Sequence, residues 1–170
     1  FHSFGYKAGI LACLMRGARL IPHQVFDPEL ILQRVERERI TMMPGPPTLF
    51  QSILSSPHLN DFDISTLSKT TTGAAVIPVE LITNIRQTLG IQTVLTAYGL
   101  TESCGLVSMC RHEDSDSTVA TTSGRAIPGI ELKCVDEHGQ PLEAGHAGEI
   151  VVRGFNIMLG YFENSVATAE

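Results

Sequence analysis

Over roughly its first 120 residues the chain alternates short β-branched runs with segments of helical period, and that alternation admits few architectures. Two strands separated by a helix cannot close as a hairpin, so they pair in parallel with the helix crossing one face of the sheet. Residues 18–21, 40–43, 69–72 and 92–96 are the predicted strands. The expected fold class is therefore α/β, a parallel sheet flanked by helices.

The intervening helices carry their own punctuation. Asp27 supplies a cap and Pro28 a first-turn proline ahead of Ile31, Leu32 and Val35, while Arg34, Glu36, Arg37 and Glu38 are left to face water. Pro78 opens a segment in which Leu81, Ile82, Ile85 and Leu89 form one apolar stripe, and Gly90 stands where a left-handed residue closes a helix. Residues 6–16, ending at Gly17, and residues 48–56 are also predicted helical. From about Ser123 the period changes. Ile130, Leu132 and Cys134 alternate with Glu131 and Lys133, Asp136-Glu137-His138-Gly139 reads as a turn, and 148–154 reads as another strand. The chain thus divides into an α/β part, 1–122, and a stretch, 123–170, that starts an antiparallel β subdomain.

With 43% apolar residues the chain can bury a core. Twelve Lys and Arg stand against 18 Asp and Glu, a formal charge of -6 with no basic cluster. Nucleic acid is disfavoured as a partner, because neutralising phosphates needs concentrated cations. No apolar run is long enough for a transmembrane segment, and Phe1-His2-Ser3-Phe4-Gly5 lacks the regions of a signal peptide. Four scattered cysteines, Cys13, Cys104, Cys110 and Cys134, with no C-x-x-C spacing, fit a reducing cytoplasmic setting. Cys104, Cys110 and His112 match no standard zinc spacing. Both ends are expected to be cuts through a longer protein.

Ligands of open parallel sheets bind beyond the carboxyl ends of the strands, where loops converge. Three unusual loops follow predicted strands: Pro44-Gly45-Pro46-Pro47, Gly73-Ala74-Ala75, and Ala97-Tyr98-Gly99-Leu100-Thr101-Glu102. Small residues admit a flat ligand to the backbone, and an aromatic ring beside a glycine can stack on a base, worth roughly 1–3 kcal/mol. A hydroxyl at Thr101 suits a phosphate oxygen. A carboxylate at Glu102 suits Mg²⁺, which takes one or two carboxylates together with substrate phosphates. The same residues have plainer readings: a tight turn at Gly73, an edge aromatic at Tyr98, a solvated carboxylate at Glu102, a partly buried core histidine at His2. Local chemistry alone leaves both sets open.

Tyr98-Gly99-Leu100-Thr101-Glu102 resembles the Y-G-x-T-E motif of the adenylate-forming (AMP-binding) superfamily of acyl-CoA synthetases, peptide-synthetase adenylation domains and luciferases. Further motifs stand in the family's order. Phe1-His2-Ser3-Phe4-Gly5, Pro44-Gly45-Pro46-Pro47-Thr48 and Gly73-Ala74-Ala75 precede it. Gly124-Arg125-Ala126-Ile127-Pro128-Gly129, Gly148-Glu149-Ile150-Val151-Val152-Arg153-Gly154 and Met158-Leu159-Gly160-Tyr161-Phe162 follow. The resemblance covers the whole chain. It implies that Tyr98 stacks on adenine, that Thr101 contacts the α-phosphate, and that Glu102 coordinates the Mg²⁺ of ATP, Thr101 and Glu102 being the catalytic pair. It also implies that Gly73, Ala74 and Ala75 line the adenine and acyl region, that His2 gates the acyl channel, and that Gly99 lets the chain pass close to the acyl group. Ala97 departs from the family pattern, where glycine is common, and bears on the width of the acyl pocket.

The implied activity is that of an acid-thiol ligase, an AMP-forming acyl-CoA synthetase. A carboxylate attacks the α-phosphorus of ATP, pyrophosphate leaves, and the thiol of coenzyme A displaces AMP. Residues 1–9 and 121–125 resemble CoA ligases more than peptide-synthetase adenylation domains. The stretch 72–81 resembles the CoA ligases of steroid-ring catabolism that activate a propanoate side chain on a bicyclic dione; fatty acids are the other expected substrates. A noncatalytic α/β interaction module is the rival from a different class, since fold alone does not fix function. The family's phosphate loop with its lysine, its T-G-D motif and its C-terminal adenylating lysine are not in these 170 residues. The isolated fragment is therefore expected to be inactive.

Overall fold

The computed structural model describes residues 3–73 and 77–169. Its core forms where three amphipathic helices cover a short parallel pair of strands. Helix α1 (Ala12–Arg16) continues a π-helical stretch, Gly5–Leu11, and stops at Gly17, whose φ of 61° lies in the left-handed region. Helix α2 (Pro28–Glu38) starts as its sequence dictates: the Asp27 side chain accepts from Leu30 N at 2.9 Å, and Pro28 occupies the first turn, where no N–H is needed. Helix α3 (Pro47–Leu54) shares the first-turn proline, but its cap residue, Pro46, supplies no side-chain hydrogen bond. Strand β1 (Lys69–Gly73), helix α4 (Val79–Thr88) and strand β2 (Thr93–Tyr98) complete a β-α-β unit. Gly90, at φ 69°, lies just beyond the helix end, as its position in the sequence predicts.

β1 and β2 pair in parallel from Lys69↔Thr93 to Gly73↔Ala97. Ile31, Leu32 and Val35 of α2, Phe50 and Ile53 of α3, and Leu81, Ile82 and Ile85 of α4 bury against Val94 and Ile91. Those of α2 and α4 are the apolar residues read from the sequence, while Phe50 and Ile53 were not singled out there. The sheet then changes character. Strands β3 (Ser108–Met109) and β4 (Arg125–Ala126) join it antiparallel, in the order β1-β2-β3-β4, with helix α5 (Asp116–Thr121) between them. Two residues per strand carry no readable period, so neither was legible in the sequence.

Two predicted strands are not formed. Residues 18–21 follow the end of α1 without regular structure, and Leu20 is exposed, so this run has no sheet to join. Residues 40–43 do run beside β1: Met43 N donates to Lys69 O at 3.2 Å, and Gly45 N to Thr71 O at 3.1 Å. Only Met42 makes a bridge, to Lys69, and the run forms no further ladder.

Strands β5 (Ile130–Val135) and β6 (Glu149–Gly154) form a separate antiparallel pair. The predicted turn between them is built by Asp136, whose Oδ1 accepts from His138 N at 2.9 Å and Gln140 N at 2.8 Å, with Gly139 at φ 74°. A terminal helix, α6 (Ser165–Ala169), ends the described chain. All four cysteines are free thiols. No helix among the described residues is long and apolar enough to cross a membrane.

The core sets a stability scale. Phe50 is fully buried, so Phe50→Ala is expected to lower the free energy of unfolding by about 3–5 kcal/mol through lost burial and the residual cavity. Loss of the cap in Asp27→Ala should cost only about 1 kcal/mol. Urea unfolding of the two variants beside the parent protein measures both, and equal losses would contradict this account of the core.

Candidate active site

Parallel pairing brings the carboxyl ends of β1 and β2 to one edge, with Gly73 opposite Ala97. The backbones meet closely there. A Cβ on Gly73 would lie 2.6 Å from Ala97 O, so only glycine fits. After Tyr98 the chain folds back on itself. Gly105 N donates to Leu100 O at 2.7 Å, Cys104 N to Thr101 O at 3.1 Å, and Val107 N to Tyr98 O at 2.8 Å. Cys104 and Gly105 take φ of 53° and 84° to make the reversal. A Cβ on Gly99 would meet Gly105 O at 2.4 Å, so the return strand runs against a bare backbone.

Within this turn the single 3₁₀ segment Thr101–Ser103 sets out the polar groups. Ser103 is buried; its Oγ receives from Leu100 N at 3.0 Å. Thr101 is exposed and Glu102 half-exposed, at the rim of a cleft of about 1010 Å³. Gly73, Tyr98, Gly99, Thr101 and Glu102 all line that cleft, so five of the predicted site residues converge. His2, Ala74 and Ala75 lie outside the described residues. No group of three His, Cys, Asp or Glu side chains among the described residues can hold a metal ion. Cys110 is buried instead, its Sγ 3.0 Å from Thr96 Oγ1.

A second segment, more than fifty residues later, clamps the turn from outside. Asn156 is buried and donates through Nδ2 to Ser103 O at 2.8 Å and Leu106 O at 2.7 Å. Met158 N donates to Glu102 O at 2.8 Å. Tyr161 donates its hydroxyl to Glu102 Oε1 at 2.7 Å. Sequence reasoning assigned none of these three a place in the site. Met158 and Tyr161 stand in a stretch read as a motif without a role, and Asn156 is a polar residue between Phe155 and Ile157, which says nothing about its partner.

The Tyr161 hydroxyl, ahead of the backbone, holds the Glu102 carboxyl below its ordinary 4.5. The same bond holds the Tyr161 phenol above its ordinary 10.0. Glu102 therefore stands ionised throughout the neutral range.

The AMP-binding enzyme family matches residues 1–162, almost the whole chain and every motif of the turn. The chain belongs to the AMP-binding enzyme family. A methyl-dioxo-octahydro-indenyl-propanoyl:CoA ligase of Mycobacterium tuberculosis is 52% identical over 169 residues, covering 99% of this chain and 31% of its own length. The ligase of the same name from Rhodococcus jostii is 48% identical over 170 residues, with 100% and 31% covered. The crystal structure of an anthranilate CoA ligase in complex with anthranoyl-AMP superposes with a TM-score of 0.88 over 98% of this chain and 32% of that one. At 23% identity it speaks for the fold alone. The chain spans about a third of the length of these relatives. The resemblance read from the motifs, and the closer one read from residues 72–81, both agree with these matches.

The Tyr161 contact sets a pH window. A carboxyl depressed in the fold contributes stability above its unfolded value, and that contribution is lost as pH falls through the folded value. Tyr161→Phe removes the donor. The Glu102 titration, followed by carboxyl ¹³C NMR, is expected to move upward toward 4.5; an unmoved midpoint would mean the hydroxyl does not engage the carboxylate in solution.

Proposed function

We propose that the chain is the central part of an ATP-dependent, AMP-forming carboxylate–CoA ligase, with residues 1–122 in its adenylating α/β part and 123–170 opening its β subdomain. The observation that supports this most is the Tyr98–Glu102 turn. It sits beside Gly73 at the carboxyl edge of the parallel pair and on the cleft wall, and the glycines at 73 and 99 let the backbones pack where a side chain would not fit.

In this reading Tyr98 stacks on adenine, Gly73, Ala74 and Ala75 shape the adenine and acyl region, and Thr101 hydrogen-bonds the α-phosphate. Gly99 lets the chain pass close to the acyl group, and His2 gates the channel. Glu102 fits Mg²⁺ brought in by ATP: it is one ionised carboxylate at a cleft rim, and this ion takes few protein ligands when phosphates supply the rest. Bound there, the ion would neutralise charge developing on the phosphates. Tyr161 and Met158 N hold the Glu102 side chain and backbone in place. Adenylation then joins a carboxylate oxygen to the α-phosphorus with loss of pyrophosphate, and the thiol of coenzyme A displaces AMP to give the thioester. No side chain of this chain acts as a covalent nucleophile.

The acid we favour is a propanoate carried on a fused bicyclic dione, of steroid origin, on the strength of relatives at 52% and 48% identity named for that acyl group. Free thiols throughout support a cytoplasmic setting.

Carboxylate-dependent exchange between ATP and pyrophosphate, measured on the full-length protein with fused-ring propanoates, fatty acids and aryl acids, tests the reading. Exchange with one class of acid, cut about 100-fold or more in Glu102→Ala, is the expected result. A folded protein that exchanges with none of them would overturn it. The 170-residue chain alone should give no measurable exchange.

A further inference from the structure

The cleft wall carries two charged side chains among the described residues, Glu102 and Lys7. Glu102 has a role in the proposed reaction; Lys7 has none. Lys7 is half-buried and engages no carboxylate and no hydrogen-bond acceptor among the described residues. A half-buried lysine on a cleft wall lays its hydrocarbon stem along the protein and presents its ammonium to whatever enters the cleft.

Its placement is specific. The stem lies against Gly105, where a Cβ would come 3.2 Å from Lys7 Cδ and 3.4 Å from Nζ. The missing side chain at Gly105 is thus what seats the lysine against the turn. The same helical segment lends Phe4, Ala8 and Ala12 to the cleft, and Leu106 follows the turn. This flank is apolar and small, a wall for hydrocarbon rings rather than for a hydrated triphosphate. One strong donor in such a wall discriminates sharply, since an acyl group without an acceptor leaves it unpaired.

We propose that Lys7 is a specificity-determining residue, its ammonium donating a hydrogen bond to a ring carbonyl of an oxygenated polycyclic acyl group. The proposal rests on the ligase reading and extends it: a fatty acid offers Lys7 nothing, whereas a fused dione offers an acceptor remote from the reacting carboxylate.

The test uses the full-length protein and two acids of one shape, the fused-ring dione propanoate and its hydrocarbon counterpart without ring oxygens. In ATP–pyrophosphate exchange, Lys7→Met is expected to raise KM for the dione acid about tenfold or more, the scale of one hydrogen bond to a charged donor. KM for the hydrocarbon acid should stay within about twofold. Lys7→Gln keeps a neutral donor and should recover part of the loss, and thermal melting of both variants controls for folding. Equal losses on the two acids would place the ammonium on the phosphates and overturn the proposal. So would unchanged values on both while the unaltered protein exchanges normally. Absence of exchange in the unaltered protein would instead mark the failure of the ligase reading, and of this proposal with it.

Discussion

The contact on which the candidate site depends is the approach of the Gly105 carbonyl to the bare Cα of Gly99. β2 arrives parallel to β1, and β3 must leave antiparallel within a few residues. A reversal that tight needs left-handed backbone at Cys104 and Gly105 and no side chain at Gly99. The turn so formed sets Thr101 and Glu102 at the rim of the cleft and buries Ser103 beneath them. One steric constraint therefore shapes the site and turns a parallel pair into a mixed sheet.

A turn carrying an exposed carboxylate gains little stability from packing, and this one is held by hydrogen bonds from elsewhere. Asn156 ties two of its carbonyls, Met158 a third, and Tyr161 the carboxylate itself. The position of Glu102 is thus decided jointly by the strand before it and by the segment after β6. Preorganising a charged group in this way avoids the reorganisation cost when a ligand arrives. It also links the β5–β6 pair to the sheet, two parts that otherwise form separate ladders.

The cleft is sparing with charge. Among the described residues, one anion on the turn and one cation on the helical segment that packs against Gly105 stand among small and apolar residues and hydroxyls. Polar interactions in such a setting count for more than they would in open water. The division suits a ligand with one charged end and a largely hydrocarbon body.

The helices were legible because their signals are local. Asp27 and Pro28 cap α2, the stripe from Leu81 to Leu89 follows the helical period, and Gly90 stops it; each effect acts within a few residues. The turn residues Tyr98, Gly99, Thr101 and Glu102 were legible through their resemblance to the family's Y-G-x-T-E motif, local chemistry alone having left plainer readings open. Residues 18–21 misled because a short local run says nothing about a neighbouring strand, and residues 40–43 because they run beside β1 with only one bridge, at Met42. β3 and β4, the clamp from Asn156, Met158 and Tyr161, and the seat of Lys7 on Gly105 were decided only in three dimensions. Each joins residues far apart in the chain, and pairing at that distance is chosen by packing and backbone hydrogen bonding, which leave no periodic trace in either partner.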